Sequence, residues 1–257
     1  MYDFQKANMF KRISAFLFDV ILLCIVAVGC AFLLSTIFGY DAQLTELDEV
    51  KVFYEEKYTT PDYDLKFEIT SADYEKLTEA QKEIYQKAYA EFAKDERANY
   101  LTEVIVNLTL LITSFAILLS FLVLEFVVPL LIGNGQTVGK KVFGVALMRE
   151  DGVKISPVIL FVRTVLGKYA VETMIPVYII MMILFGAMGI MGLITIGAIL
   201  IIQLVLIFTS EARTPLHDRL AHTVSVDMAS QMIFASVEER LEYQKRIHSE
   251  QVENDRS

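Results

Sequence analysis

The first long apolar run of the chain, Ile13–Phe38, constrains the fold more than any other feature. The run has 26 residues, and apart from two cysteines its only ionisable side chain is that of Asp19. At about 1.5 Å of rise per helical residue, the run is long enough to cross a bilayer as one helix. A charge in hydrocarbon costs at least about 2.5 kcal/mol, so Asp19 must face protein or water and needs a partner. Arg12 lies seven residues earlier, on the same helical face.

Composition and two further apolar runs are typical of a multi-pass membrane protein. Hydrophobic residues make up 54% of the sequence, and the mean hydropathy is +0.47. The second run is Val104–Ile132, and the third, Met174–Thr209, has 36 uncharged residues, far more than one span needs. The glycine-rich centre of the third run, Gly186–Gly192, offers a turn. We therefore predict an all-α membrane protein with four transmembrane helices; a single tilted helix plus a re-entrant segment is the alternative for the third run.

Basic residues flank the predicted spans on one side only. They precede the first span (Lys6 to Arg12), lie between the second and third (Lys140 to Lys168), and follow the fourth (Arg213 and Arg219). The positive-inside rule makes that side cytoplasmic, which places both termini in the cytoplasm of a bacterial-type cell. The intervening segment 41–103 holds 8 Lys or Arg and 17 Asp or Glu, a balance of −9 that equals the net charge of the whole chain. We predict that this acidic insertion is extracytoplasmic.

The acidic insertion carries its own helix signals. Thr78 and Gln81 fit a capping box, and a helix is predicted from about Glu79, with an apolar stripe at Ile84, Tyr85, Ala88, Tyr89 and Phe92. We expect this helix to run straight into the second span. The insertion is either a small cap packed on itself and on the membrane interface, or a recognition surface or cation-attracting vestibule.

The cytoplasmic side is predicted to hold a small β element and two helices. Alternation over Lys141–Met148, an Asp151-Gly152 turn and then Val153–Ile155 indicate a β-hairpin, to which His222–Asp227 adds a third strand. Between them, Pro157–Glu172 is predicted as an amphipathic helix in the membrane interface. Ser236 and Glu239 fit a capping box that opens a short soluble helix in the polar tail.

These features divide the chain into seven segments. They are the N-terminus and first span (1–40), the acidic insertion (41–103), the second span (104–132), a cytoplasmic Gly-Lys segment with hairpin and interfacial helix (133–173), the third and fourth spans (174–209), a cytoplasmic His-Asp segment (210–228) and the polar tail (229–257).

Three short stretches line up with this topology. Arg12-Ile-Ser-Ala15-Phe-Leu-Phe-Asp19 opens the first span, Gly135-Gln-Thr-Val-Gly-Lys140 follows the second, and His217-Asp218-Arg-Leu-Ala-His-Thr223 follows the last. In this order they resemble the RDD family of membrane proteins, which is named for one arginine and two aspartates. The insertion 41–103 departs from that family's pattern, in which the first loop is short.

The resemblance implies roles for individual residues. Arg12, Asp19 and Asp218 would be the arginine and the two aspartates. The other two stretches would form an inner-surface turn at Gly135, Thr137, Gly139 and Lys140 and a second inner motif at His217 and Thr223. The resemblance also implies a multi-pass membrane fold and suggests transport.

Catalytic and nucleotide-binding motifs are missing from the sequence. A Walker A loop needs Gly, four residues and then Gly-Lys-Ser/Thr, and here Asn134 and Lys141 stand at two of the required positions. His217 and His222 are five residues apart, which does not place them on one helical face. We therefore expect no catalytic residue, no metal, no cofactor and no nucleic-acid partner, and we expect that the protein is not an enzyme.

Two intramembrane carboxylates are predicted at matching depth. Asp19 and Glu125 each lie about seven residues, or about 10 Å, from the inner end of their spans. Two like charges in a low dielectric cannot both stay ionised cheaply, so one would hold a proton or both would share a cation. The alternative is that Arg12 or Arg163 neutralises each of them in a fixed network.

The predicted charge cluster comprises Arg12, Asp19, Glu125, Arg163 and Asp218. Asp218 is expected to accept hydrogen bonds or to pair with Arg12, Arg163 or Lys140. The first functional hypothesis is a small ion-coupled carrier that takes a monovalent cation or proton and works as a homodimer in the lipid bilayer. The alternative is an accessory or regulatory membrane protein that binds another protein through 41–103 or the tail.

Overall fold

The computed structural model describes residues 7–209 and 214–254. Along the described chain the elements are α1 (Met9–Ile37), α2 (Tyr40–Tyr58), α3 (Ser71–Glu75), α4 (Glu79–Phe92), α5 (Glu96–Ile132), α6 (Val138–Val142), β1 (Val145–Arg149), α7 (Pro157–Leu184), α8 (Ile190–Thr209), α9 (Leu216–Leu220), β2 (Thr223–Asp227) and α10 (Val237–Asn254). The predicted basic flanks Lys6 and Arg213 lie outside the described residues.

The chain divides into two units. The first unit comprises Met1–Val28 and Ile117–Ser257, and the second comprises Gly29–Ala116. The first unit therefore contains both strands and α6 to α10, whereas the second contains α2, α3 and α4.

Among the described residues, three helices are long and apolar enough to cross a membrane: α1, α5 and α7. The shorter apolar helix at Ile190–Leu206 follows them within α8. The predicted turn in the third apolar run is present, because α7 ends at Leu184 and Gly186 takes a φ of +71°, which only glycine adopts readily. The structure is thus mostly helical, with three helices of spanning length.

The start of α5 corrects one prediction. The helix begins at Glu96, eight residues before the predicted Val104, because the Asp95 side chain caps it by accepting a hydrogen bond from the Ala98 N–H at 2.8 Å. Helix α4 ends at Phe92 and is separate from α5, so the prediction that α4 runs straight into the second span was wrong. The predicted capping box of Thr78 and Gln81 does open α4.

A wider helical turn interrupts α5 at Leu122–Val127, where the backbone adopts the i→i+5 pattern of a π-helix. Pro129 follows this segment and has no N–H to donate to the Glu125 carbonyl four residues earlier. The Thr164 hydroxyl donates to that carbonyl at 3.0 Å instead. Pro129 therefore leaves the Glu125 carbonyl without a donor four residues later, and the hydrogen bond from Thr164 ties α5 to α7.

Helix α7 differs from the prediction of a separate interfacial helix over Pro157–Glu172. The backbone stays helical from Pro157 to Leu184, with a π segment at Val162–Met174, so the predicted break before Met174 is absent. The prediction placed a boundary where the composition turns apolar, but a change in polarity alone does not end a helix. Pro176 lies two residues beyond that boundary and does not end the helix either. The Ser156 hydroxyl caps the start of α7 by accepting from the Ile159 N–H.

The β element has two strands where a hairpin and a third strand were predicted. Strand β1 pairs antiparallel with β2, with Val145 opposite Asp227 and Arg149 opposite Thr223. Val153 and Lys154 form only isolated bridges, to Phe234 and Met148. The predicted strand His222–Asp227 is confirmed as β2, and its pairing with β1 buries Ala146, Met148, Val224 and Val226. Of the predicted hairpin, the turn at Asp151-Gly152 is present, and the Arg149 N–H donates across it to the Val153 carbonyl oxygen at 2.9 Å, but no second strand extends from it.

The polar tail forms α10, as the sequence predicts. The Ser236 hydroxyl accepts from the Glu239 N–H, and the Glu239 carboxylate accepts from the Ala235 N–H. Arg240 donates to the Asp151 carbonyl oxygen at 2.6 Å, which ties α10 to the turn after β1.

The second unit has a small apolar core. Leu47 of α2 packs with Ala98 and Leu101 of α5. The ring of Phe67 contacts three rings of α4: those of Tyr85 and Tyr89 edge-on and that of Phe92 at a tilt. The predicted aromatic stripe of α4 thus packs within its own unit, although Tyr89 remains 53% exposed.

Candidate functional site

Ionisable side chains from five helices of the first unit lie together. They are four carboxylates and four nitrogen bases, which we call the charge cluster: Asp19, Glu125, Glu172, Asp218, Lys140, Arg163, Lys168 and His217. Helix α1 provides one of them, α5 one, α6 one, α7 three and α9 two. Such a density of buried charge is costly unless each group is paired, so the partner of each group decides what the cluster can do.

Asp19 is held by the N-terminal end of α6. One carboxylate oxygen accepts from the Thr137 hydroxyl at 2.5 Å, and the other accepts from the Gly139 N–H at 2.7 Å. Gly139 permits this approach, since a Cβ atom there would lie 2.9 Å from the Asp19 carboxylate. Thr137 also accepts from the Lys140 N–H, so the Gly-x-Thr-x-Gly-Lys motif forms a cap that receives the first aspartate.

Glu125 is buried in the π segment of α5 and is 3% exposed. One oxygen accepts from Lys168 Nζ at 2.5 Å, and the other lies 3.9 Å from Arg163 Nη1. Lys168 therefore neutralises this carboxylate at close range and Arg163 at longer range, while Oε2 accepts no hydrogen bond from the described residues.

Asp218 and Arg163 form the most buried ion pair of the described chain. Arg163 Nε donates to Asp218 Oδ1 at 2.6 Å, and both side chains are 2% exposed. The Thr223 hydroxyl donates to the same oxygen at 3.0 Å. Burial would raise the pKa of Asp218, but the positive charges of Arg163, His217 and Lys140 outweigh it and hold that pKa well below its usual range.

His217 joins α9 to α7 through Glu172. The Glu172 carboxylate accepts from the His217 N–H at 2.8 Å and lies 2.7 Å from Nδ1 of the ring. Gly167 permits this contact, because a Cβ atom there would lie 2.6 Å from the His217 Cβ. Burial lowers the pKa of His217, although the carboxylates of Asp218 and Glu172 oppose that shift.

Lys140 differs from the other bases of the cluster. Its side chain is buried, and its Nζ has no hydrogen-bond partner among residues 7–209 and 214–254. Burial, together with the nearby charges of Arg163 and Lys168, lowers the pKa of Lys140 to about 7, against the opposing effect of Glu125 and Asp218. The ammonium and the neutral amine are therefore both well populated near neutral pH.

A cavity of about 370 Å³ adjoins the cluster. Every member of the charge cluster lines it except Glu125, and Arg12 lines it too. Apolar side chains of α1, including Ile13 and Phe16, form another part of its wall. Its volume is within the range of small-ligand sites.

The structure brings the five residues of the predicted charge cluster into this region. Arg163 pairs with Asp218 and also lies near Glu125, while Arg12 and Asp19 line the cavity. The two carboxylates predicted at matching depth have separate partners, so they do not form a shared two-carboxylate site. In the predicted turn, Gly135 has a φ of +60° and lies against Leu147, which explains the glycine there.

Sequence reasoning missed Lys168 and Glu172 as members of the cluster, and it missed the burial of Lys140. On an α-helix, at about 100° per residue, Glu172 would lie on the face opposite Arg163, nine residues earlier. The π pattern of Val162–Met174 changes that period, and its i→i+5 spacing brings residues 163, 168 and 172 towards one face. The signal that could have found them is the unusual density of charge in an otherwise apolar helix.

A family model of the RDD family matches residues 6–222. That span includes Arg12, both aspartates and the Gly-x-Thr-x-Gly-Lys motif that caps Asp19. No curated protein and no solved structure matches the chain. Because the match covers far more than half of the sequence, the chain belongs to the RDD family, whose members are membrane proteins.

Proposed function

We propose that this RDD-family membrane protein is a small ion-coupled carrier of the cation/proton type, and that it is not an enzyme. The observation that supports the proposal is the cavity in the first unit, where ionisable side chains surround a space of ligand size. Ionisable groups of this kind within membrane helices are costly and are typical of ion and proton pathways. Arg12, Asp19 and Asp218, the residues that characterise the family, all line the cavity.

Asp19 is the side chain that we propose binds the coupling proton or monovalent cation. Both of its hydrogen bonds come from uncharged donors, the Thr137 hydroxyl and the Gly139 N–H. The other carboxylates on the cavity wall, Asp218 and Glu172, each face a cationic or basic side chain. Asp19 can therefore exchange an ion with the cavity without breaking a buried ion pair.

Proton flux into proteoliposomes tests this proposal. We expect Asp19→Asn to abolish flux, because the amide takes up no proton and has no negative charge to hold a cation, but it can still accept the Gly139 hydrogen bond. The matched control is Asp41→Asn, which changes an exposed aspartate of the second unit and should retain wild-type flux. Size-exclusion profiles verify that both variants fold. Full flux in the Asp19 variant, or none in wild type with either protons or sodium, would overturn the carrier.

The proposed topology has four spans, with α8 as the fourth and both termini in the cytoplasm of the cell. Helix α8 has 20 residues, enough to cover about 30 Å. The basic flanks support this orientation. Single cysteines at Asp62 and His248, in a variant without Cys24 and Cys30, should react with a membrane-impermeant reagent from opposite sides. Labelling of both from one side would refute the topology.

Four spans are few for enclosing a transport path, so we propose that the carrier is a homodimer. A mass of two chains in detergent, measured by light scattering and corrected for bound detergent, is the expected result. A mass of one chain under conditions that retain ion flux would contradict the dimer.

The second candidate is an accessory or regulatory membrane protein. The observation that favours it is the surface of the second unit, where Phe53, Tyr89 and Tyr100 are each more than half exposed on an acidic segment. A photo-crosslinking residue at position 89 in cells tests it, with exposed Val142 of the first unit as the control position. One reproducible protein adduct specific to position 89 supports this candidate, and identical adducts from both positions count against it.

A further inference from the structure

We propose that the cavity of the first unit binds a small oxyanion, a carboxylate or phosphate group, and that the ammonium of Lys140 is its main ligand. The inference goes beyond the proposed function by adding an anion to the species that the cavity binds, and only its transport aspect rests on that function. Binding itself depends on the cavity alone.

Most charged side chains on the cavity wall are already paired with one another, and this determines which of them can bind a ligand. Asp218 is bonded by Arg163, and Glu172 by His217. The remaining lysine on the wall, Lys168, is paired with Glu125. These groups form closed pairs that offer little to a ligand.

Lys140 lies outside these pairs. No carboxylate of the described residues lies within 4 Å of its Nζ, which is buried and donates no hydrogen bond to the described residues. A buried ammonium without a partner is unfavourable, and an anion in the adjoining cavity would relieve it. The cavity wall also includes Arg12, whose positive charge adds to the attraction for an oxyanion.

The charges around Lys140 couple anion binding to proton uptake. Arg163 and Lys168 on α7 disfavour its ammonium, whereas Glu125 on α5 and Asp218 on α9 favour it. Asp19 on α1 faces it as well. Because the pKa of Lys140 is lowered to about 7, a bound anion would raise that pKa and draw a proton onto the amine. An anion and a proton would then enter the cavity together.

The apolar part of the cavity wall further restricts the class of ligand that the cavity can bind. Met9, Ile13 and Phe16 of α1 also line the cavity, and their side chains are apolar. The ligand that fits best is therefore an oxyanion with a small apolar group or chain attached. Free organic acids and anionic lipid headgroups share this chemistry. The experiment must therefore contain an arm for each source.

Binding is tested with the purified full-length protein in nanodiscs of neutral phosphatidylcholine. Calorimetric titrations with benzoate and with inorganic phosphate, each at pH 8 in two buffers of different ionisation enthalpy, give affinity and proton uptake. At that pH most of the lysine is neutral, so we expect clear proton uptake, of at most one proton per bound anion, in wild type. For the lipid source, native mass spectrometry counts phosphatidylglycerol retained from mixed nanodiscs.

Three variants separate a ligand role from a structural one. Lys140→Met should weaken binding at least tenfold and abolish proton uptake. Lys140→Arg should retain binding without proton uptake, because the guanidinium stays charged. The matched control is Lys141→Met, which removes the exposed neighbouring lysine and should match wild type in both readouts.

The outcomes distinguish this inference from the carrier. Wild-type affinity in Lys140→Met, or no binding of benzoate, phosphate or phosphatidylglycerol to wild type, would overturn the anion site. Retention of phosphatidylglycerol alone identifies the ligand as a lipid headgroup, whereas binding of the free anions identifies a soluble acid. Anion binding without flux in proteoliposomes would refute the carrier but leave the site intact, and proton flux without anion binding would do the reverse.

Discussion

Two ion pairs with the same separation show how differently the two units use charge. In the first unit, Arg163 Nε and Asp218 Oδ1 are 2.6 Å apart, and in the second unit Lys57 Nζ and Glu91 Oε2 are also 2.6 Å apart. The side chains of the first pair are 2% exposed, whereas those of the second are 45% and 42% exposed. Geometry alone would rank the pairs as equal. Burial makes the loss of either partner of the first pair costly, because the other charge would remain buried without compensation.

The contrast extends to the rest of each unit. The second unit contains most of the acidic excess of the chain, and its lysines form short-range exposed pairs such as Lys76 with Asp73 and Lys82 with Glu79. The first unit places its charges between helices that are distant in sequence, as with Lys168 and Glu125. Solvated charges can be exchanged with little consequence, but buried charges are specific to their partners.

The largest expected effect comes from breaking the buried pair. Arg163→Ala should lower the stability of the protein by about 3–5 kcal/mol, because it leaves Asp218 buried without its cation. The decrease in melting temperature, measured by thermal unfolding in mild detergent, tests this prediction. The matched control is Lys57→Ala in the second unit, for which we expect an unchanged melting temperature. Equal losses in both variants would mean that burial does not distinguish the two pairs.

Much of the local structure could be predicted from sequence, and the reason is that its causes are local. The apolar run Ile13–Phe38 differs from α1 only at its ends, and the capping box at Thr78 is present. Each of these depends on residues within a few positions of one another. Hydrophobic periodicity and capping motifs can be recognised in the sequence because they involve residues that are close together in the chain.

The contacts that build the cluster were less predictable because they join distant segments. Asp218 had three candidate cations in the sequence, and nothing local selects Arg163 from among them. The predicted hairpin partner of β1 contributes only the Met148–Lys154 bridge, whereas the distant strand β2, predicted as the third strand, pairs along all of β1. The π segment of α7 also changes which residues share a face, and α-helical spacing therefore missed Glu172.

A substitution of Gly167 gives the next largest expected effect. Gly167→Ala in the first unit should destabilise the protein by about 1–3 kcal/mol, because the new Cβ would lie 2.6 Å from the His217 Cβ and 2.9 Å from its Cα. Thermal unfolding in detergent measures the loss.

The matched control for this prediction is Gly29→Ala. It lies in α1 and has no atom within 4 Å of the added Cβ, so the substitution should be neutral or stabilising. A stable Gly167→Ala protein would show that α9 can move away from α7 without cost. The two helices would then not be held as tightly as the buried pair requires.

The smallest expected effect is a pH dependence carried by Lys140. Its pKa is lowered from 10.5 to about 7 in the folded protein, so between these values the unfolded chain holds a proton that the folded chain has lost. Stability must therefore rise with pH across this window, and the contribution of Lys140 should be about 1 kcal/mol between pH 7 and pH 8. Lys140→Met removes that slope, whereas Lys141→Met should retain it. Melting curves in buffers free of oxyanions measure the difference. Parallel pH profiles for the two variants would mean that Lys140 stays charged when folded, and the buried charge of the first unit would then behave like the solvated charge of the second.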